Sequence, residues 1–314
     1  MTAAIIQIII GILLLMWGAD RFVFASRGIA VKFHISPLIA GVLLVGFGNS
    51  FPELVVSFIA AYKHHAAMAV GNVVGSNIAN IGLVLGVAIL VRPLIVAKAI
   101  LKRDLPILFV VMLVVFLLLK NLFLSRVDGL ILIGMLILYL GFIYYSMRSQ
   151  KHTHIADDID TNAPTVKFVL WWLAGLALLF VASELLVRGA STIAVHFGMS
   201  DLLVGLTVVA LGTSLPELAT TVVAAYKNHT DIAVGNVIGS NIFNLLAVLA
   251  MPALLDPHAI DSLFLTRDYL AMTLLAFLLL GFCFINIKDH LLKRWQGIVF
   301  LGFYIGYIVY LIKG

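Results

Sequence analysis

Residues 48–80 read GNSFPELVVSFIAAYKHHAAMAVGNVVGSNIAN, and residues 212–244 read GTSLPELATTVVAAYKNHTDIAVGNVIGSNIFN. The stretches align without a gap at an offset of 164, and 20 of their 33 positions are identical. The offset extends upstream. Ile29-Ala30-Val31 matches Ile193-Ala194-Val195, and Asp20 falls opposite Glu184. A repeat on this scale means two copies of one structural unit.

Composition says in which solvent the units sit. Of 314 residues, 63% are hydrophobic and 11% charged, with a mean hydropathy of +1.15. Soluble domains run at roughly 45–50% and about 25%, so a soluble globule is excluded. One cysteine, Cys283, excludes a disulfide scaffold. The scarcity of polar residues excludes disorder. The net charge of +5 is dispersed, with no basic run longer than two residues, so no nucleic-acid partner is expected. No G-x-x-x-x-G-K-[ST] stretch occurs, which argues against a nucleotide. These features define an all-α polytopic membrane protein whose main partner is the lipid bilayer.

Crossing the hydrocarbon takes about 20 apolar residues. Ten spans are expected, near 3–20, 36–61, 66–91, 105–119, 129–147, 168–190, 201–225, 232–254, 269–287 and 295–312. The first has no basic residue before it and no cleavage pattern behind it, and reads as a retained helix. With both termini outside, 14 Lys and Arg residues fall on the cytoplasmic side and 6 outside. That bias favours this orientation. The expected organisation is a five-helix unit over 1–147, a cytoplasmic linker over 148–166 and a second unit over 167–314. Asp157, Asp158 and Asp160 in the linker read as a solvated acidic loop in preference to a regulatory calcium site. Five spans separate each residue from its repeat mate. An odd number reverses direction, so the units are expected to be inverted, as in many secondary transporters.

Two carboxylates lie near span centres, Glu53 and Glu217, and they are repeat mates. Ionisable groups at that depth mark functional sites by default. Asp20 and Glu184, nearer span ends, can pair with Arg21 and Arg188. Each central glutamate follows a break signal. Pro52 and Pro216 have no N–H, so the carbonyls of Gly48 and Gly212 lose their helical partners. Phe51 and Leu215, each preceding a proline, are pushed from helical geometry. Helices 2 and 7 are therefore expected to be broken at the midplane, where irregular backbone survives only under protein or beside a water-filled cavity. Ser50-Phe51-Pro52-Glu53 and Ser214-Leu215-Pro216-Glu217 also fit a capping box. That reading explains a helix restart but not a break at mid-span, twice.

Asn72, Ser76 and Asn80 recur at i, i+4 and i+8 on one helical face, as do Asn236, Ser240 and Asn244. Gly71-x-x-x-Gly75 and Gly235-x-x-x-Gly239 read as close-packing devices. Asn72 and Asn236 fit either interhelical bonding or coordination; the others fit coordination. Carboxylate, hydroxyl, amide and carbonyl oxygens suit Ca²⁺, Na⁺, Mg²⁺ or Mn²⁺, and disfavour copper or zinc. His64, His65, His152 and His154 fall in loops. Trp171 and Trp172 read as an interfacial belt.

With its paired G-[TN]-S-x-P-E and G-N-x-x-G-S-N blocks, the chain resembles the sodium/calcium antiporter family, the cation/calcium exchangers. It is most similar to the short members of the bacterial inner membrane. The resemblance covers the whole chain and implies Ca²⁺/Na⁺ exchange by alternating access, with no permanently bound cofactor. It implies that the first and sixth helices slide across an eight-helix core. It implies a cation site of Asn49, Ser50, Glu53, Ser76 and Asn80 with Thr213, Ser214, Glu217, Ser240 and Asn244. Backbone carbonyls of Asn49 and Thr213 would face calcium, and Gly46 and Ala210 would lend carbonyls to outer sodium positions. Two departures matter. Asn49 replaces the family's usual Thr. Asn244 stands where several relatives carry Asp, which puts their stoichiometry and any K⁺ dependence in doubt. A Ca²⁺/H⁺ antiporter using the same glutamates, an intramembrane acid–base enzyme and a channel are the competing readings.

Overall fold

The computed structural model describes residues 2–149, 163–197, 210–285 and 290–313, nearly all of them helical. Asp157, Asp158, Asp160, His152 and His154 lie outside the described residues. The first half runs α1 (Thr2–Lys32), α2 (Pro37–Ala40), α3 (Phe51–Tyr62), α4 (Ala66–Ala79), α5 (Gly86–Val91), β1 (Leu94–Ile95), α6 (Leu105–Leu119), β2 (Phe123–Leu124) and α7 (Arg126–Ser149). The second runs α8 (Thr165–His196), α9 (Ala210–Thr213), α10 (Leu215–Tyr226), α11 (Thr230–Phe243), α12 (Ala250–Leu255), β3 (His258–Ala259), α13 (Leu270–Ile285), β4 (Leu291–Leu292) and α14 (Arg294–Lys313). Wider π-helical turns at Gly41–Phe47, Asn80–Leu85 and Asn244–Val248 join successive helical pieces.

Local chemistry sets the boundaries. Ser36 caps α2 by accepting from the Ile39 N–H at 3.4 Å, and Pro37 takes the first helical position, where its missing N–H costs nothing. Helices α3 and α10 end alike. His64 (φ 59°) and Asn228 (φ 65°) are left-handed. The N–H groups of His65 and His229 reach back to the carbonyls of Ala60 and Ala224, each at 2.8 Å. This is a Schellman ending built without glycine.

Among the described residues, eight helices are long and apolar enough to cross a bilayer: 2–32, 37–62, 66–91, 126–146, 165–193, 230–255, 264–285 and 294–312. Of the other two expected spans, α6 has 15 residues, and 201–225 is described only from residue 210. The first span is longer than its expected 3–20. Its helix continues through Asp20, Arg21 and Arg27 to Lys32. These charges are accommodated where they stand, because Asp20 meets Lys227 of the other half and Arg21 at 3.6 Å.

The two halves are tied at both ends of α6. Strand β1 pairs with β4, and β2 with β3, each antiparallel and two residues long. His64 also contacts Asp256 at 3.1 Å, and its hydrogen bond holds that carboxyl below the usual carboxylate range. Arg103 and Asp104 pair through two hydrogen bonds, and so do their repeat mates Arg267 and Asp268.

Small residues set the helix contacts. Helices α1 and α8 pack along their lengths. A Cβ at Gly175 would lie 2.9 Å from the backbone nitrogen of Phe22, and one at Gly189 would lie 2.8 Å from the Ala4 carbonyl. Helix α11 lies at least as close to the Gly41–Phe47 turn: a Cβ at Gly239 would overlap the Val42 carbonyl. Close packing therefore explains Gly235 and Gly239. Gly71 and Gly75 meet nothing within 4 Å among the described residues.

Candidate cation-binding site

The breaks before the two glutamates are one residue long. Ser50 (φ −80°, ψ 6°) and Ser214 (φ −90°, ψ 4°) occupy the sparsely populated bridge region. Phe51 and Leu215, expected to leave helical geometry, instead open α3 and α10. Each proline is then the second residue of a new helix, where a missing N–H is no loss. The departure moves one residue upstream, to serine.

The capping-box reading fails here. Neither serine side chain caps its helix. Ser50 Oγ instead donates to Glu217 Oε1 of the other half at 3.3 Å. The carbonyl freed by Pro216, on Gly212, accepts from the hydroxyl of Ser183 on α8. Trp172, also on α8, donates its indole N–H to the Leu44 carbonyl at 3.2 Å and packs its ring against Phe22. It supports the turn before the break and is not simply an interfacial ring.

The glutamates are almost fully buried, Glu53 at 1% exposure and Glu217 at 0%. Helix α3 packs on the Asn244–Val248 turn, and α10 on the Asn80–Leu85 turn. Both asparagines thus open a π-helical turn, a distortion common at functional sites. The crosswise packing leaves six buried oxygens with no hydrogen-bond partner among the described residues: Glu53 Oε1 and Oε2, Glu217 Oε2, Asn80 Oδ1, Asn244 Oδ1 and Ser214 Oγ. Buried polar atoms are normally paired. Six unpaired oxygens are thus buried on elements of both halves, all of the hard type that suits a desolvated cation.

Most of the other expected residues are buried or hydrogen-bonded between helices. Asn49 is buried, its amide donating to Asn236 Oδ1 at 3.1 Å and accepting from Thr220 at 3.4 Å. Its side chain is thereby occupied. Asn72 donates to Ser57 Oγ at 3.1 Å and Asn236 to Thr221 Oγ1 at 2.7 Å, so their amide N–H groups join helices. Ser240 Oγ donates to the Gly46 carbonyl at 3.0 Å, which ties that carbonyl to α11. Ser76 is buried, Thr213 half-buried, and Ala210 opens α9.

Sequence reasoning missed Ser183, Asn77 and Asn241. Asn77 and Asn241 end the G-S-N triplets in both repeats, one residue off the face that i, i+4, i+8 spacing picks out. Ser183 carried no signal, since its mate is Ala19.

Ser183→Ala is expected to destabilise the protein by about 1–3 kcal/mol, the cost of a buried carbonyl left unpaired. Pro216→Ala should weaken Ca²⁺ affinity with stability unchanged or raised. Thermal unfolding in detergent and Ca²⁺ titration check both.

Buried carboxylates in the two halves, on interrupted helices and accompanied by unpaired buried hydroxyl and amide oxygens, are the marks of an ion transporter. The family described as sodium/calcium exchanger protein matches residues 3–146 and 167–313, and the chain belongs to it. It is a family of transporters, not enzymes, and the chain is accordingly a multi-pass cation/Ca²⁺ antiporter. The chain is 42% identical over 312 residues to the putative antiporter CaxA of Alkalimonas amylolytica, covering 98% of each. It is 30% identical to the sodium/calcium exchanger MaX1 of Methanosarcina acetivorans, covering 99% of each. A solved structure of the sodium-calcium exchanger NCX_Mj superposes with a TM-score of 0.83 at 32% identity, covering 98% of both chains.

Proposed function

We propose that the protein exchanges Ca²⁺ for Na⁺ by alternating access, with the cation held between Glu53 and Glu217. The six unpaired buried oxygens carry this reading. Glu53, Glu217, Asn80, Asn244 and Ser214 present those oxygens. Ser50, Ser76 and Ser240 contribute hydroxyls, and Asn49 and Thr213 contribute backbone carbonyls. Gly46 and Ala210 flank the outer positions with theirs, while Asn72 and Asn236 hold the helices together. Two carboxylates balance one Ca²⁺, so the loaded site is neutral in a medium that penalises net charge. The ions are cargo, and no resident cofactor is needed.

Ten spans in two inverted five-helix units, 1–147 and 167–314, suit this mechanism, and the strand pairs support them. The β2–β3 pair needs Phe123 and Ala259 on one side of the membrane. The candidate spans 126–146, 165–193 and 230–255 lie between them. A fourth crossing, as the ten-span reading expects near 201–225, would keep the two strands on one side. By the same parity, a crossing by α6 is consistent with the β1–β4 pair. The distribution of Lys and Arg supports termini outside the bacterial inner membrane and a cytoplasmic 148–166 linker.

Radiolabelled Ca²⁺ uptake into sealed vesicles tests the proposal. An imposed Na⁺ gradient at fixed pH should drive uptake. A requirement for a pH gradient instead would make H⁺ the counter-ion, and uptake that needs no counter-ion would indicate a channel.

A further inference from the structure

Asn80 and Asn244 each bury an unpaired oxygen, which the cation-site reading sets toward the ion, but an amide rotated by half a turn has nearly the same shape. With its NH₂ facing inward, either residue would repel a cation. The orientation must come from other residues, and one chain of hydrogen bonds fixes it.

The chain starts at a backbone atom. The carbonyl of Asn241 can only accept, and Asn77 Nδ2 donates to it at 3.2 Å. The same nitrogen also contacts the sulfur of Met272 at 3.6 Å. Asn77 is 1% exposed, so its NH₂ group is committed to this side and its oxygen to the other. That oxygen accepts from Asn244 Nδ2 at 3.2 Å. Asn244 must therefore keep its nitrogen toward Asn77 and its oxygen away from it. The last link recurs crosswise: Asn80 Nδ2 donates to Asn241 Oδ1 at 3.0 Å, and Asn80 Oδ1 is left unpaired.

We propose that Asn77 and Asn241 are positioning residues, which hold the amides of Asn244 and Asn80 with oxygen toward the transported cation. The inference rests on the cation-site reading above. It assigns these residues no contact with the ion. Outer partners of metal ligands act in this way, and their loss typically costs about 10–100-fold in affinity.

The test is a double-mutant cycle on Ca²⁺ uptake in vesicles at pH 8. N77L removes the acceptor that orients Asn244. It should raise the KM for Ca²⁺ by about 10–100-fold, with a smaller change in kcat. N244D replaces the amide with a group that presents oxygen whichever way it turns. In the N244D background, N77L should raise KM little or lower it, because Asn77 Oδ1 no longer opposes a carboxylate. An equal rise in both backgrounds would overturn the proposal and make Asn77 a packing residue. Should N77L fail to reach the membrane, N77S, smaller and still polar, runs the same cycle. The mirror pair N241L and N80D runs it on the other half. Near-normal uptake by E217Q in the same vesicles would instead defeat the cation-site reading itself.

Discussion

Glu217→Gln is expected to lower Ca²⁺ transport in sealed vesicles by more than about 100-fold, and Glu53→Gln to do the same. That exceeds the upper end of what the loss of an outer partner costs. Each change leaves one carboxylate for a divalent ion that has lost its water. The desolvation penalty amounts to several kcal/mol per ion, and a neutral amide does not offset it as a carboxylate does. The fold should survive. A glutamine at position 217 keeps an oxygen to accept from Ser50, where Glu217 accepts at 3.3 Å, and a glutamine at position 53 has nearly the shape of the glutamate. Membrane yield and thermal unfolding check this separately from flux. Near-normal exchange by either variant, once it is shown to be folded, would remove Glu53 and Glu217 from the centre of the mechanism.

Asn244→Asp should give a protein whose activity follows pH differently from the parent. The native site holds two carboxylates, so one Ca²⁺ brings it to zero. The protonated acid has the shape of the amide and can donate to Asn77 Oδ1, as Asn244 Nδ2 does at 3.2 Å. The ionised form cannot donate and sets a negative oxygen against that acceptor. It also leaves the Ca²⁺-loaded site with net charge −1, beside Glu53 and Glu217. The two proteins should therefore behave alike in acid and diverge as pH rises and the new group loses its proton. A further companion cation, K⁺ or H⁺, then becomes able to restore neutrality. Ca²⁺ affinity and exchange current from pH 5 to 9 report the difference. Superimposable profiles would place Asn244 outside the site.

The glutamates, the prolines and the asparagine–serine faces were legible because each appears twice, at one offset, in apolar surroundings where polarity is conspicuous. What the repeat hid was asymmetry. Ser183 secures the Gly212 carbonyl, but position 19 is alanine and leaves Gly48 no such partner. Asn77 and Asn241 escaped because helical spacing selects residues that share a face, whereas these act sideways, from one helix to the next. The length of α1 was missed for an opposite reason. Asp20, Arg21 and Arg27 look like the end of a span in sequence, and the contacts with Lys227 and Arg21 accommodate Asp20 inside a continuing helix. The break itself was placed one residue late, since the rule for residues before proline does not foresee a proline settling into the first turn of a new helix.

Helices α1 and α8 contain 31 and 32 residues. At 1.5 Å per residue each is about 46–48 Å long, against roughly 30 Å of hydrocarbon. Neither carries a strand that fastens the halves together, and glycines line their mutual contact. Their outer faces are apolar, with Ile9, Leu13 and Met16 exposed on one and Leu170, Leu173 and Phe180 on the other. Any vertical displacement of this pair against the strand-clasped bundle carries apolar rows into the headgroups at one end and polar residues toward the tails at the other. Hydrophobic mismatch costs fractions of a kcal/mol per Å, and several ångströms on two helices make that comparable to the gap between two conformations. Were such a displacement part of transport, the acyl-chain length of the surrounding lipid would enter the cycle as a physical variable, alongside the ion gradients.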